Sequence, residues 1–256
     1  MKIEALAGTK KRKRLFLNWI SLVEKEIILE NQKYLNPRVV FDGLNWWVCV
    51  TIDLPNIFQE NINDGIGIDL GVKTFAVCSN GQTFPDISRS SKIKKLAKRV
   101  AIMKQDLKKM ANGQNKKKKE KKILKKSQKI KNIKYNYLYW VVSEIIKQKP
   151  RFIVIEDLDI TNMGKSRKEL KKMINREYFY TFRKILEYKC KWAGIEIIVA
   201  DRYFPSSKIC CVCGKLKENL TLKDRIYECK CGNKIDRDYQ AALNLKKYGE
   251  NIIFSE

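Results

Sequence analysis

The sequence predicts a mixed α/β protein that carries a basic helical hairpin and a four-cysteine metal ribbon. Three observations predict this fold class. Short, nearly continuous apolar runs alternate with long helical patterns, which is typical of a sheet covered by helices. One segment is dense in lysine, and cysteines form two closely spaced pairs near the C-terminus. With 256 residues, 44% of them apolar, the chain is long enough to bury a sizeable core.

The net charge is the dominant global feature. The chain contains 54 Lys and Arg against 28 Asp and Glu, which gives +26. Between Lys92 and Arg151 there are 22 basic residues and three acidic ones, so most of the excess lies in one segment. Such an excess repels itself unless a polyanion neutralises it, and nucleic acid is therefore the expected partner. A ribosomal or a membrane-surface protein would be the alternative explanations.

The composition also excludes several kinds of catalytic site. The chain has no histidine, which excludes histidine acid–base or nucleophilic schemes, Cys/His zinc hydrolases and His-dependent nucleases. Any hydrolysis must therefore rest on carboxylates and a bound metal. Because neither a secretory leader nor a membrane-spanning run is recognisable, we expect a cytoplasmic, nucleoid-associated protein with no membrane partner. In that compartment, paired cysteines indicate a metal more often than a disulfide.

Residues 1–60 predict a basic, β-rich segment. A basic cluster from Lys10 to Arg14 comes first, and the run "PRVVFDGLNWWVCVTIDL" follows. Its "DGLN" lies between two apolar stretches, which predicts a β-hairpin. These strands are too few for an independent sheet, so we expect them to form part of a small barrel.

Residues 65–84 predict a strand, a tight turn, a second strand, a hairpin turn and a third strand. Gly71 permits the first turn, and "SNGQ" carries the Asn-Gly pair typical of hairpins. Asp69 lies on the first strand among apolar neighbours, where a charge is costly unless it is used.

Residues 92–149 predict a basic helical hairpin. The spacing of Ile93, Leu96, Val100, Met103 and Leu107 suits a first helix. The stretch "NGQNKKKKEKK" predicts a loop or frayed link, and a second helix runs from about Ile123 to Lys147. We expect its lysines to contact phosphates, although a solvated face is the usual explanation of such a run. The candidate contacts are Lys116, Lys117, Lys118, Lys119, Lys121, Lys122, Lys125 and Lys126.

The C-terminal third continues the alternation of strands and helices. A buried strand, "RFIVIE", ends at Glu156, and a long helix closed by Gly194 follows. A further buried strand, "IEIIVAD", leads to the cysteine segment. The terminal helix, "DYQAALNLKKYG", begins next to Asp238.

The cysteines predict a zinc ribbon. Cys210 and Cys213 form C-x-x-C, Cys229 and Cys231 form C-x-C, and a glycine follows each pair. Two such pairs separated by a short polar hairpin suit a tetrahedral four-cysteine Zn²⁺ site, which we favour over buried thiols or a disulfide. Cys211 is the spare cysteine of this segment. Ordinary buried positions are predicted for the rest: Cys49, Cys78 and Cys190.

Three acidic residues are candidates for a catalytic metal site. Asp69, Glu156 and Asp238 would converge if the first and fourth strands of the fold are neighbours. Converging carboxylates repel one another and need cations, and two Mg²⁺ ions would satisfy them and activate a phosphodiester. Taken singly, each has a simpler explanation: a braced turn for Asp69, a lysine pair for Glu156, a helix cap for Asp238. The combination with the positive charge favours the metal site.

Together these segments resemble the TnpB/OrfB family encoded by insertion sequences, relatives of the type V CRISPR effector nucleases. The resemblance covers about residues 40 to 249. "GIDLGVKTFAV", "IVIEDLDITNM" and "CGNKIDRDYQAALNL" look like the three RuvC motifs of the family, and "FRKILEYKCKWAG…DRYFPSSKICCVCG" looks like the segment that leads into its ribbon. The resemblance implies an RNase H-like (RuvC) mixed sheet and a site made of Asp69, Glu156 and Asp238. Asp238 is preferred to Asp236 because it precedes the "x-[Asn/Gln]-Ala-Ala" run.

The resemblance also implies a function. It is that of an RNA-guided, metal-dependent DNA endonuclease encoded by a transposable element. The implied partners are DNA, a guide RNA and a transposase from the same locus. The implied divisions are a nuclease core at 61–205 with a basic insertion at 92–149, a ribbon at 206–234 that positions Asp238, and the end of the core at 235–256.

The sequence departs from the family pattern at several points. Gln240 stands where the family often has Asn, and Ile235 where it often has His. Family members usually carry a longer N-terminal half with a recognition domain, of which this chain would keep the last barrel strands. The alternative function is therefore a DNA- or RNA-binding remnant or repressor that does not cut. A plain zinc-ribbon factor would leave Asp69 and Glu156 unexplained.

Overall fold

A computed structural model of the chain describes residues 3–5, 15–17, 34–52, 63–71, 73–157, 167–221 and 224–255. The chain divides into two compact units, residues 1–54 and residues 55–256. Each unit has sheets of its own. The predicted division of the second unit into core, insertion and ribbon stays a prediction.

The described residues of the first unit form two antiparallel strand pairs. Strands β1 (Ile3–Ala5) and β2 (Leu15–Leu17) form one pair, and β3 (Tyr34–Phe41) and β4 (Trp46–Ile52) form the other. The predicted "DGLN" hairpin is confirmed between β3 and β4, where the Asp42 carboxylate accepts hydrogen bonds from the backbone N–H groups of Leu44 and Asn45 at 2.8 and 2.7 Å. The predicted barrel stays a prediction.

A five-stranded mixed sheet forms the centre of the second unit. Its strands are β5 (Ile66–Leu70), β6 (Thr74–Cys78), β7 (Thr83–Pro85), β8 (Phe152–Glu156) and β9 (Glu196–Ala200). They lie in the order β7-β6-β5-β8-β9, with antiparallel pairing from β7 to β5 and parallel pairing from β5 to β9. The condition under which Asp69, Glu156 and Asp238 would converge is met, because the first and fourth strands of this sheet in chain order, β5 and β8, are neighbours.

Within the described residues, four α-helices and one short 3-10 helix (Ile87–Arg89) belong to this unit, together with a small two-stranded sheet. The α-helices are α1 (Ser91–Lys108), α2 (Gln114–Ile146), α3 (Arg167–Ala193) and α4 (Arg237–Ile253), and the small sheet pairs β10 (Ile226–Glu228) with β11 (Lys234–Asp236). Helices α1 and α2 lie between β7 and β8 in the chain and pack against each other. The predicted helix stop at Gly194 is confirmed, since α3 ends at Ala193 and Gly194 has a φ of +66°.

The predicted loop in the lysine run is wrong. Helix α2 begins at Gln114 and includes the whole run, so its 33 residues start nine positions before the expected Ile123. Lysine is almost as good a helix former as alanine, and like-charge neighbours on an exposed helix cost only a few tenths of a kcal/mol. The Lys119 ammonium also lies 2.9 Å from a carboxylate oxygen of Asp106 on α1, which neutralises part of the charge.

Apolar side chains cover both faces of the sheet. On one face α2 and α3 pack on alternate residues of β8, Ile153 and Ile155, whereas the other face packs Phe152 and Val154 against Leu245 of α4. This explains why β8 reads as a continuous apolar run, as expected for a strand that is buried on both sides.

The predictions for the three isolated cysteines have mixed outcomes. Cys78 and Cys190 are buried, as predicted, whereas Cys49 is only half-buried, so that prediction is wrong. Cys49 lies on β4, which pairs only with β3 within the described part of the chain, and such a two-stranded pair cannot enclose its side chains. Across the described residues, no helix has the length and apolarity that a membrane crossing requires.

Candidate functional site

The three predicted carboxylates lie where parallel strands end and the last helix begins. Asp69 is the fourth residue of β5, Glu156 is the last residue of β8, and Asp238 is the second residue of α4. The register of the two strands places Ile68 opposite Ile155, so Asp69 and Glu156 follow as neighbours on adjacent strands. Three elements that are distant in sequence therefore contribute to one place.

The charges of the other two carboxylates act on Asp69. Burial raises the pKa of the Asp69 carboxyl well above its usual value, and the negative charges of Glu156 and Asp238 raise it further, while the Arg237 guanidinium lowers it. Burial also raises the pKa of Glu156, against a lowering hydrogen bond from Ser206. The cluster is thus a region of negative potential in which ionisation is unfavourable unless a cation is present.

A glycine brings α4 within reach of β5. Gly67 and Asp69 are two residues apart on β5 and so point to the same face of the sheet. A Cβ atom on Gly67 would lie 2.1 Å from the backbone oxygen of Ala242 and 2.4 Å from the backbone nitrogen of Lys246. Only glycine permits this approach, and Asp238 lies one helical turn before Ala242, toward Asp69.

The two aspartates at the start of α4 have different roles. The Asp236 carboxylate caps the helix by accepting hydrogen bonds from the backbone N–H groups of Asp238 and Tyr239, at 2.9 and 3.0 Å. The Asp238 carboxylate instead lies 3.6 Å from each of two guanidinium groups, those of Arg225 and Arg237. Asp236 is thereby committed to the helix end, although its charge also raises the pKa of Asp69, by less than the charge of Asp238 does.

Sequence reasoning missed two buried polar residues that border the cluster. The Ser206 hydroxyl donates a 2.5 Å hydrogen bond to Glu156 Oε1. The Asn244 amide, on α4, donates to the backbone oxygens of Ser206 and Ile209, both at 2.7 Å. A usable signal was present: Gln240 and Asn244 are polar residues four positions apart on the apolar face of the terminal helix, and both are buried.

The four predicted cysteines gather into one cluster. Their Sγ atoms all lie within 4.8 Å of one another, with 3.7 Å between Cys210 and Cys231 and 3.6 Å between Cys213 and Cys229. A tetrahedral ion with bonds of about 2.3 Å would place its sulfur ligands roughly 3.8 Å apart, which these distances match. Gly214 and Gly232, which follow the two pairs, have φ values of +73° and +92° that turn the backbone around the cluster.

The cysteine cluster is also suited to holding a cation by its hydrogen bonds. Burial opposes ionisation of the Cys210 thiol, but backbone N–H groups of Cys213 and Val212 outweigh it and lower its pKa to about 6. For Cys231, a backbone hydrogen bond at Asn233 lowers the pKa, but hydrogen bonds with the neighbouring thiols and burial outweigh it and raise the pKa to about 12. Within the described ranges, these four cysteines form the one group of three or more Cys, Asp or Glu whose ligand atoms gather this tightly. The carboxylates of Asp69, Glu156 and Asp238 are therefore less closely gathered than the thiols.

A second polar bridge joins the cysteine cluster to α4. The Asn233 amide lies between β11 and the second cysteine pair, and donates to Gln240 Oε1 at 3.0 Å and toward Cys210 Sγ at 3.5 Å. Gln240 is completely buried. The cluster is thus attached directly to the helix that carries Asp238.

The predicted phosphate-contacting lysines lie on the first four turns of α2. Lys117, Lys118, Lys121, Lys122 and Lys125 are exposed, and Lys116, Lys119 and Lys126 are half-buried. Because neighbours on a helix surface are three or four residues apart, Lys118, Lys122 and Lys125 form one continuous row.

Comparison with known proteins agrees with this architecture. Residues 48–167 match the OrfB_IS605 family model, described as "Probable transposase", and residues 179–245 match the "Cas12f1-like, TNB domain" model. The TnpB/OrfB relationship is therefore confirmed. The second model covers the cysteine cluster and the start of α4, and the first covers Asp69 and Glu156.

Curated relatives of this chain carry consistent names. A protein of Streptomyces pristinaespiralis named "Putative RNA-guided DNA endonuclease" is 34% identical over 72% of this chain and 45% of its own length. The InsQ protein of Escherichia coli K12, which carries the same name, is 27% identical over 73% of this chain and 50% of its own length. The chain spans about half the length of the curated relatives it matches.

Solved structures support the fold. The chain resembles a protein in the "Cryo-EM structure of CRISPR-Cas12f Ternary Complex" with a TM-score of 0.58 and 26% identity, over 78% of this chain and 42% of that one. A second match, to the "Cryo-EM structure of the Cas12f1-sgRNA-target DNA complex", has a TM-score of 0.51 and 23% identity, over 81% and 55% of the two chains. The chain therefore has a Cas12f-like fold.

Proposed function

We propose that this chain is a Mg²⁺-dependent endonuclease of a transposable element that cuts DNA under the guidance of RNA. The observation that carries the proposal is the approach of three carboxylates from β5, β8 and α4, close enough to raise the pKa of Asp69. Partly buried carboxylates near one another are unfavourable without a cation, and hard divalent ions prefer oxygen ligands, so the donor set fits Mg²⁺. The names of the relatives supply the RNA guide and the DNA substrate.

In this proposal the chain holds the metal with side chains fixed by regular structure. When bound, Mg²⁺ activates a water molecule and stabilises the developing charge on the leaving oxygen. Asp69 and Glu156 are held by adjacent strands, and Asp238 by a capped helix, so their side chains need little reorganisation. The strand order β7-β6-β5-β8-β9 supports the RNase H-like, RuvC-type core implied by the motifs.

The remaining parts of the chain would bind nucleic acid and stabilise the site. The lysines of α2, from Lys116 to Lys126, would contact backbone phosphates, with strong salt dependence as a result. Cys210, Cys213, Cys229 and Cys231 would hold a structural Zn²⁺, since four thiolates complete its coordination and leave no open position. A guide RNA and a transposase from the same locus remain predicted partners.

The test is a cleavage assay on the protein co-expressed with its flanking DNA and purified with any bound RNA. Wild type should cut DNA only when Mg²⁺ is present, and Asp69→Ala should abolish cutting while retaining nucleic-acid affinity. Asp64→Ala is a matched control, since this aspartate has 92% of its side chain exposed and pairs with Lys246. Cleavage that survives Asp69→Ala would refute the site.

One observation favours a second candidate, a nucleic-acid-binding protein that does not cut. Two guanidinium groups, those of Arg225 and Arg237, already neutralise part of the Asp238 charge from 3.6 Å. If these contacts replace a metal, wild type should bind DNA without cutting it, and Arg225→Ala should also bind without cutting. If the nuclease proposal is correct, wild type itself cuts in Mg²⁺.

A further inference from the structure

The segment between β9 and the cysteine cluster contains a serine that is directed at the carboxylate site. Ser206 is only 4% exposed, and its hydroxyl donates to Glu156 Oε1 at 2.5 Å. A carboxylate has two oxygens and a glutamate three side-chain torsions, so a donor on one oxygen restricts rotation and leaves the other free for a cation.

The serine is itself held by α4. Asn244 is 3% exposed, and its amide nitrogen donates to the backbone oxygens of Ser206 and Ile209 at 2.7 Å each. Both acceptors belong to the turn that precedes Cys210, and that turn is closed by a 2.8 Å bond from the Ser206 backbone nitrogen to the Phe204 oxygen. Because these groups are shielded from water, the amide is hard to replace as a donor.

Asn244 lies on the helix that also carries Asp238. One rigid element thereby reaches two members of the carboxylate cluster: it carries Asp238 directly, and it reaches Glu156 through Asn244 and Ser206. The same turn continues into the cysteine cluster, which Asn233 ties to α4 through Gln240.

We propose that Ser206 is a positioning residue for Glu156, and that Asn244 holds Ser206 in a fixed position relative to Asp238. The inference rests on the proposed nuclease function. It assigns the cysteine ribbon a role beyond its own stability, since a ribbon that folds incorrectly would displace Ser206 and loosen a ligand of the metal site.

The test measures metal binding as well as cleavage, with Ser206→Ala as the main variant. Binding of Mn²⁺ to the zinc-loaded protein is followed by the loss of the free-ion EPR signal, with Asp69→Ala as the background. Ser206→Ala should weaken Mn²⁺ affinity about fivefold or more, and lower kcat by roughly tenfold with an unchanged KM for DNA, as expected for a residue that supports a metal ligand. Ser206→Thr, which keeps the hydroxyl, should recover most of both, and Ser207→Ala is the matched control.

Each outcome of these measurements supports or overturns the positioning role of Ser206. Wild-type Mn²⁺ affinity and kcat in a folded Ser206→Ala would overturn the positioning role while the nuclease proposal stands. A wild type that binds Mn²⁺ but never cuts would refute the nuclease, and the Mn²⁺ measurement would still decide the role of Ser206. Wild type binding no more Mn²⁺ than Asp69→Ala would overturn both.

A second pair of variants covers the case in which Ser206→Ala does not fold. Asn244→Leu removes the donor, whereas Asn251→Leu makes the same change at an exposed position of α4. Weaker Mn²⁺ affinity in Asn244→Leu than in Asn251→Leu is the expected result, and equal affinity would overturn the proposal.

Discussion

The close approach of α4 to β5 predicts that Gly67→Ala will damage the carboxylate site without touching a carboxylate. The added methyl would lie 2.1 Å from the Ala242 oxygen and 2.4 Å from the Lys246 nitrogen, whereas ordinary contact begins at 3.4 Å. Both atoms are backbone, so no side-chain rotation relieves the clash. Helix and strand must therefore separate by about 1 Å, and overpacking of this kind costs about 1–3 kcal/mol.

The same displacement moves Asp238 away from Asp69. A misplacement of about 1 Å in a catalytic constellation can lower the rate by roughly 100-fold. We therefore expect Gly67→Ala to lose about that factor in kcat for Mg²⁺-dependent DNA cleavage, and to lower the free energy of unfolding by about 1–3 kcal/mol in urea denaturation.

Two further glycines serve as controls for this prediction. Gly113→Ala adds a methyl into open space at the N-cap of α2, far along the chain from Asp238, so it should leave kcat unchanged and weaken only the helix cap. Gly249→Ala, on α4, would meet the side-chain ends of Val154 and Phe152 at 2.5 and 2.7 Å. Because side chains can shift, it should destabilise the packing of α4 but move Asp238 less than Gly67→Ala does. If Gly67→Ala kept wild-type stability and kcat, the reasoning about this contact would be refuted.

The remaining predictions concern the metals, the charge and the ribbon. Glu156→Gln should abolish cleavage but keep DNA affinity in filter binding, and a fully active variant would refute its role as a ligand. Burial and neighbouring charges raise the pKa of Asp69, so the metal-free protein should lose stability as pH rises above 3.8, the pKa of this carboxyl in the unfolded chain. Asp69→Asn should therefore raise the melting temperature of the metal-free protein at pH 7. An unchanged melting temperature would contradict this reasoning. Replacing exposed lysines between 117 and 125 with Gln should reduce the slope of log affinity against log salt by about 0.9 per lost phosphate contact, and an unchanged slope would identify them as a solvated face. Zinc chelation or Cys213→Ser should unfold residues 206–240, seen as faster amide exchange, and should also remove cleavage; retained protection would count against a structural metal.

The sequence was sufficient where local chemistry dictates structure. The Asn-Gly hairpin, the helix stop at Gly194 and the pairs of cysteines each followed by glycine all depend on backbone conformations that few residues adopt. Their places in the structure agree with the prediction. The lysine run was mispredicted because charge density was taken as a sign of a loop, although lysine itself favours a helix.

The contact between the two polar supports of the site, Ser206 and Asn244, lay beyond sequence reasoning. Ser206 and Asn244 stand 38 positions apart, and nothing in either local segment shows that their polar groups meet. Gly67 also looked like an ordinary strand residue. No side chain fits at this position, because the backbone of α4 packs directly against it.

The sequence by itself determined the chemical inventory of this TnpB/OrfB relative: carboxylates at strand and helix ends, four thiols at ligand spacing, a lysine-rich segment and no histidine. Those features depend on residue types and short spacings, which can be read directly from the sequence. Only the tertiary structure decided that Asp69 and Glu156 are neighbours, that Asp236 caps the helix while Asp238 faces the cluster, and that Asn244 links the ribbon to Glu156. These contacts depend on strand order and helix packing, which bring together residues that are far apart along the chain.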